Sequence, residues 1–178
     1  MDLILGAGST KTKIFFKKGD DENYKEDTIT LDINKDHNPD VVWDLNKLPL
    51  PFKDNMFDEI HAYHVIEHLG TQGDYESFFN FFNEIYRIIK HDGFFFAVTP
   101  HWNNEWAFGD PGHTRIINHG TVIFLDQSKY EEQVGKTSMT DYRFIYKGDF
   151  KIILSSYTGG KEGAENAYQF ILKANKET

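Results

Sequence analysis

Phe57-Asp58-Glu59-Ile60-His61-Ala62-Tyr63-His64-Val65 opens the stretch that decides the fold; Asp74 with Phe78, Phe81, Phe82, Ile85, Ile88 and Ile89 follows, then Phe94-Phe95-Phe96-Ala97-Val98. The first run reads as a strand. The apolar residues after Asp74 recur at helical spacing and make one apolar face, with Asp74 placed to cap its start. Gly93 is placed to end that helix, and Thr99-Pro100 to stop the strand that follows. Strand, helix and strand in this order call for a parallel sheet with a crossover helix.

Working outward, Leu3-Ile4-Leu5 stops at Gly6-Ala7-Gly8, the pattern of a buried strand opening into a tight turn. Residues 17–27 are charged and read as an exposed loop. Thr28-Ile29-Thr30-Leu31-Asp32-Ile33 and Val41-Val42-Trp43-Asp44-Leu45 read as two more strands, and Leu48-Pro49-Leu50-Pro51-Phe52 as a connector. Residues 101–146 are rich in aromatics and histidines but weakly periodic, which predicts loops and short helices over an active face. Residues 150–156 and 168–174 are strands, expected to pair antiparallel around Thr158-Gly159-Gly160-Lys161-Glu162-Gly163. The predicted fold is α/β: a Rossmann-like, mostly parallel sheet ending in an antiparallel hairpin, with ligands where the strand order switches. No repeat or linker divides the chain, so residues 1–178 are expected to form one domain.

Composition narrows the function. The 178 residues are 39% hydrophobic and 16% aromatic, enough for a packed core. A net charge of -9 repels phosphate backbones and disfavours a groove for duplex nucleic acid. The absence of cysteine removes disulfides, thiolate nucleophiles and Cys-type metal centres. No apolar run is long enough to span a bilayer and the start lacks a basic leader region, so the expected location is the cytosol of a cell or of a host. A membrane partner is not expected.

Four features stand in an informative order. Gly6-Ala7-Gly8-Ser9 follows a strand, where missing Cβ atoms let a ligand approach the backbone. Asp32 lies 24 residues past Gly8, the offset at which an acid can accept from both hydroxyls of a ribose. Asp44 can accept from an adenine amino group, and the end of residues 57–65 would form the pocket floor. His64-Val65-Ile66-Glu67-His68 also matches the H-x-x-E-H of inverted zinc peptidases, but that motif needs a regular helix and residues 57–65 read as a strand. His64, Glu67, His68 and His113 could ligate a divalent ion, but the simpler reading is favoured, in which Glu67 and His68 start a helix and tie loops together by hydrogen bonds; no metal is assigned. Gly8-Ser9-Thr10-Lys11-Thr12 lacks the spacing of a phosphate loop.

Taken together, these segments, with Asn38-Pro39-Asp40, Glu84-Ile85-Tyr86-Arg87 and Asp92-Gly93, make the chain resemble the class I S-adenosylmethionine-dependent methyltransferases. Gly109-Asp110-Pro111-Gly112-His113-Thr114-Arg115 and Met139-Thr140-Asp141-Tyr142-Arg143 are similar to a small bacterial and phage subgroup. The resemblance implies a seven-stranded sheet and S-adenosylmethionine as cofactor. It places Gly6, Ala7 and Gly8 along the methionine and ribose, Asp32 on the ribose hydroxyls and Ile33 on the adenine. It also places Asp44 and Leu45 at the adenine edge, and Tyr63 and His64 beneath the methionine. The chain departs from the pattern where Leu5 replaces an acid and a third glycine is absent. Residues 9–16 do not read as a helix, so the first crossover helix is expected to be short or missing, with Lys11 or Lys13 near the methionine carboxylate instead. His64, His101 and His113 are the catalytic candidates, and Trp102, Arg115 and Tyr142 the candidate substrate contacts. The implied activity is methyl transfer to a small-molecule or sugar-like acceptor, since the Asp/Asn-Pro-Pro-aromatic motif of amino-directed DNA methyltransferases is absent. Two other readings are a non-catalytic cofactor-binding module of a larger, viral or multiprotein assembly, and a zinc hydrolase using His64, Glu67 and His68.

Overall fold

A computed structural model of the chain describes residues 1–9, 11–13, 27–159 and 166–176. Its strands are β1 (Asp2–Leu5), β2 (Thr28–Asp32), β3 (Val41–Val42), β4 (Phe57–Tyr63), β5 (Ile89–Pro100), β6 (Phe150–Thr158) and β7 (Ala167–Ala174). They form one sheet in the order β3-β2-β1-β4-β5-β7-β6. β1 pairs in parallel with β2 and β4, β2 with β3, and β4 with β5. β7 runs antiparallel to both β5 and β6, so the sheet is mostly parallel with a reversed strand in its C-terminal hairpin, as the sequence predicts.

The long helix α1 (Tyr75–Ile88) carries the expected apolar face, and Phe78, Phe82, Ile85 and Ile88 bury it against the sheet core of Leu3, Ile60 and Phe95. Asp74 caps it by accepting from the Ser77 N–H at 3.0 Å. Glu84 and Arg87 tie the helix to the proline-rich connector: Glu84 accepts from Leu50 N at 2.6 Å, and Arg87 donates to the Phe52 carbonyl at 2.9 Å. Residues 101–146 carry the short helices α2 (Trp106–Gly109), α3 (His119–Val122) and α4 (Gln127–Gln133).

Three boundaries differ from the sequence reading. The helix ends at Ile88 rather than Gly93, because the N–H groups of Asn55 and Met56 accept the role of its next turn by binding the Arg87 and Ile88 carbonyls. Gly93 instead lies inside β5, where a Cβ would stand 2.7 Å from Ile89 Cγ1 and 3.0 Å from the Asp58 carbonyl. β4 stops at Tyr63 because His64 adopts a left-handed backbone, φ 55°. β3 keeps only Val41 and Val42 of its expected five residues. Between β1 and β2 no helix occupies the described residues; the expected short or missing crossover helix and the loop at residues 17–27 otherwise fall on residues 14–26, outside the described set. Most of the expected turn at residues 158–163 also lies outside it. No helix among the described residues is long and apolar enough to cross a membrane.

Candidate active site

The C-terminal ends of β1, β2 and β4 open on a cleft of about 420 Å³. Gly6 and Gly8 turn the chain away from β1 with φ of 57° and 56°. At Gly6 a Cβ would meet Val65 Cγ2 at 2.5 Å, whereas at Gly8 it would meet nothing within 4 Å. Asp32 ends β2 beside this turn. One carboxylate oxygen accepts from Gly8 N at 2.8 Å and the other from Asn34 N at 2.7 Å, with His37 Nδ1 at 3.4 Å. Burial pushes the Asp32 carboxyl up, but the Asn34 and Gly8 N–H groups and the His37 ring outweigh it and hold it below its ordinary value. Asp44 closes the far side, accepting from Asn46 N at 3.0 Å. Ile33, 67% exposed, offers an apolar surface at the rim.

Seven of the nine residues expected at a cofactor share this cleft: Gly6, Gly8, Asp32, Ile33, Asp44, Leu45 and His64. Ala7 and Tyr63 do not line it. Ala7 is buried with its N–H on the Leu31 carbonyl, and the Tyr63 hydroxyl lies 2.7 Å from His61 Nδ1. The expectation for the two lysines fails: Lys11 donates to the Asn38 carbonyl, and Lys13 is buried against Asp2 and Glu59, where opposite charges compensate its desolvation. Sequence reasoning missed His37, Trp43, Asn46 and Val65 as cleft walls; only their proximity to Asp32, Asp44 and His64 in the chain signalled them.

A second cleft of about 270 Å³ adjoins the first, with His64 and His68 in the wall of both. Its other walls are Pro100, Asn104, Trp106, Asp110, His113 and Asn166. Of the catalytic candidates, His64 and His113 meet here, and His101 does not. His101 Nδ1 accepts from Asn103 N, and its ring packs on Tyr157 at 4.5 Å. The three substrate candidates also lie elsewhere. Arg115 is buried over Phe78, its guanidinium donating to the carbonyls of Leu69, Thr71 and Asp74 at 2.7–3.2 Å. Tyr142 packs on Tyr75 and Phe79, and Trp102 is an exposed ring beside His101. Trp106, by contrast, reaches the cleft.

Residues 66–68 form a single 3-10 turn, and β4 ends just before it. The zinc-peptidase reading needs His64 and His68 one turn apart on a regular helix, so this backbone does not support it.

Residues 22–97 match a family model described as a methyltransferase domain. No curated protein matches the chain. Among solved structures, the YcgJ protein from Bacillus subtilis superposes with a TM-score of 0.56 at 15% identity, covering 99% of this chain and 92% of that one. A SAM-dependent methyltransferase from Archaeoglobus fulgidus gives 0.57 at 16% identity, covering 97% and 85%. The N-methyltransferase NodS from Bradyrhizobium japonicum WM9, in complex with S-adenosyl-L-homocysteine, gives 0.58 at 11% identity, covering 98% and 78%. The chain shares the fold of these structures, and within it residues 22–97 match the methyltransferase-domain model. The residues that line the first cleft fit the nucleoside end of S-adenosylmethionine, the cofactor that the sequence resemblance implies. The Asp32 carboxylate uses one hydrogen bond per oxygen and keeps about half of its roughly four lone-pair sites for ribose hydroxyls.

Proposed function

We propose that the chain methylates a small, hydroxyl-rich, sugar-like acceptor held in the second cleft, with residues 1–178 working as one domain. The observation that carries this reading is the shared wall: His64 and His68 border both clefts, so a nucleophile in the second can face a methyl donor in the first. S-adenosylmethionine supplies a methyl group on an already activated sulfonium. The protein's share is therefore to align two reactants and exclude water. In this reading Gly6, Gly8 and Asp32 hold the ribose side, and Ile33, Asp44 and Leu45 the adenine. His64 stands at the junction and accepts the proton that a hydroxyl loses as it attacks. Trp106 offers a flat face for the C–H side of a sugar ring, while Asn104, Asp110 and Asn166 meet its hydroxyls. The cleft's modest size and the net charge of -9 favour such an acceptor over duplex nucleic acid.

Calorimetric titration with S-adenosylhomocysteine tests the first half. The wild-type chain should bind it at micromolar levels, and Asp32→Ala should weaken binding about 10²-fold through loss of charge-assisted hydrogen bonds. Release of S-adenosylhomocysteine over a panel of sugars, nucleosides and duplex oligonucleotides tests the second half. Turnover on duplexes with none on hydroxylated small molecules would sink the acceptor reading while leaving the enzyme class intact.

A further inference from the structure

Glu67, His68 and His113 meet where the turn after β4 is crossed by the loop at residues 110–115. Each offers one ligand-type atom, and these atoms lie within 4.8 Å of one another. The Glu67 carboxylate is the unusual member. The residue is 2% exposed, and neither carboxylate oxygen accepts a hydrogen bond among the described residues. His64 Nδ1 stands 3.3 Å from Oε1, but without the alignment of a hydrogen bond. A buried carboxylate left in this way is strongly unfavourable unless a cation or donor meets it.

The two histidines do not supply that donor. His68 Nδ1 lies 3.0 Å from the Gly112 carbonyl and His113 Nδ1 lies 2.7 Å from the Trp106 carbonyl. A carbonyl only accepts, so both Nδ1 atoms carry the proton and both Nε2 atoms present a lone pair in the neutral ring. His113 Nε2 is 3.9 Å from Glu67 Oε1 and 3.9 Å from Asp110 Oδ2, beyond hydrogen-bond reach of either. The His113 Nε2 lone pair thus faces the Glu67 anion with no proton between them, and His68 brings a ring nitrogen within 4.8 Å of the group. The Trp106 carbonyl behind His113 holds that imidazole in the tautomer and orientation that ligate a cation through Nε2, while the exposed His68 ring has room to turn toward it. Hydrogen bonding between loops explains the Glu67 backbone, whose carbonyl accepts from Thr114 and Arg115, but leaves its carboxylate without a role.

We propose that Glu67, His68 and His113 bind one first-row divalent transition-metal ion, whose remaining positions open on the cleft that His68 and His113 line. Two imidazoles with one carboxylate suit zinc, cobalt, nickel, iron or manganese better than magnesium or calcium, which prefer oxygen donors. Bonds of about 2.0–2.2 Å place ligand atoms roughly 3–3.4 Å apart across such an ion. Rotation of the exposed His68 ring closes the remaining distance. This site goes beyond the methyl-transfer reading and is tested without it.

The probe is the metal alone. Chelator-treated protein titrated with Co(II) should bind one ion per chain, with visible absorption bands that Zn(II) abolishes by displacement and millimolar Mg(II) leaves in place. Glu67→Gln and His113→Asn should each weaken binding at least about tenfold, while His101→Asn, outside the cluster, should leave it unchanged. A measurement without variants guards against misfolding: long-range ¹⁵N–¹H spectra of the wild type should show Zn(II) shifting Nε2 of His68 and His113. Co(II) binding weaker than about 1 mM would overturn the proposal. So would full affinity in folded Glu67→Gln and His113→Asn, or Zn(II) shifts confined to other histidines.

Discussion

Two glycines separated by one residue face opposite demands. Both Gly6 and Gly8 have positive φ, so either alanine pays about 1–2 kcal/mol for a left-handed backbone. At Gly6 the added methyl also overlaps Val65, which raises the expected loss for Gly6→Ala to roughly 2–4 kcal/mol. At Gly8 the methyl enters open space, and that space is the cleft. Gly8→Ala should therefore shift the urea midpoint little and weaken S-adenosylhomocysteine binding, whereas Gly6→Ala should lower both. Equal effects in the two variants would show that the turn acts only through backbone strain. The same scale explains what was legible in the site. Asp32 and the glycine turn announce themselves through a spacing set by strand and turn lengths. Arg115 could not, because a sequence gives a cation no sign that three carbonyls will receive it.

Among the elements, β1, β2, α1 and the hairpin were readable because each is specified locally, by an apolar run, a period or a cap. The helix end was not. Ile88 and Ile89 are equally apolar, and the stop depends on Asn55 and Met56, more than 30 residues earlier. The end of β4 was also hidden, since a left-handed histidine has no marker of the kind glycine provides. His113 joins Glu67 from a loop 46 residues away, and no local pattern links them. Arg115 is what fastens that loop to the start of α1, through the carbonyls of Leu69, Thr71 and Asp74. Arg115→Met keeps the apolar stem over Phe78 but leaves these carbonyls without a donor. It should cost about 2–3 kcal/mol in urea denaturation. Hydrogen exchange should speed up in residues 69–74 and 110–116 before the central strands respond. Uniform acceleration across the sheet would contradict this local role.

The whole molecule carries a buried polar group of side chains on β1 and β4, none of which lines either cleft. Lys13 lies between Asp2 and Glu59, and His61 Nε2 stands 3.2 Å from Glu59 Oε2. The Tyr63 hydroxyl donates to His61 Nδ1, so the neutral ring donates from Nε2 to Glu59. Burial lowers the His61 pKa below 6.5, against the pull of Glu59. Burial raises that of Glu59, but His61 and Lys13 more than offset it and bring it down to about 2. Both shifts act in one direction. Below pH 6.5 the unfolded chain binds a proton at His61 that the folded chain refuses, and below 4.5 the same holds at Glu59 until the pH nears 2. Stability should therefore be fully present at neutral pH and fall in two stages on acidification. Urea midpoints measured from pH 7.5 to 3 should show the first decline setting in as the pH falls through about 6.5. His61→Gln, which can still donate to Glu59, should flatten that upper stage and leave the lower one. ¹⁵N spectra at pH 6.5, where a free imidazole is half protonated, should report a mostly neutral His61 ring; a ring half protonated or more there, with an unchanged upper stage in His61→Gln, would remove this network as the source of acid lability.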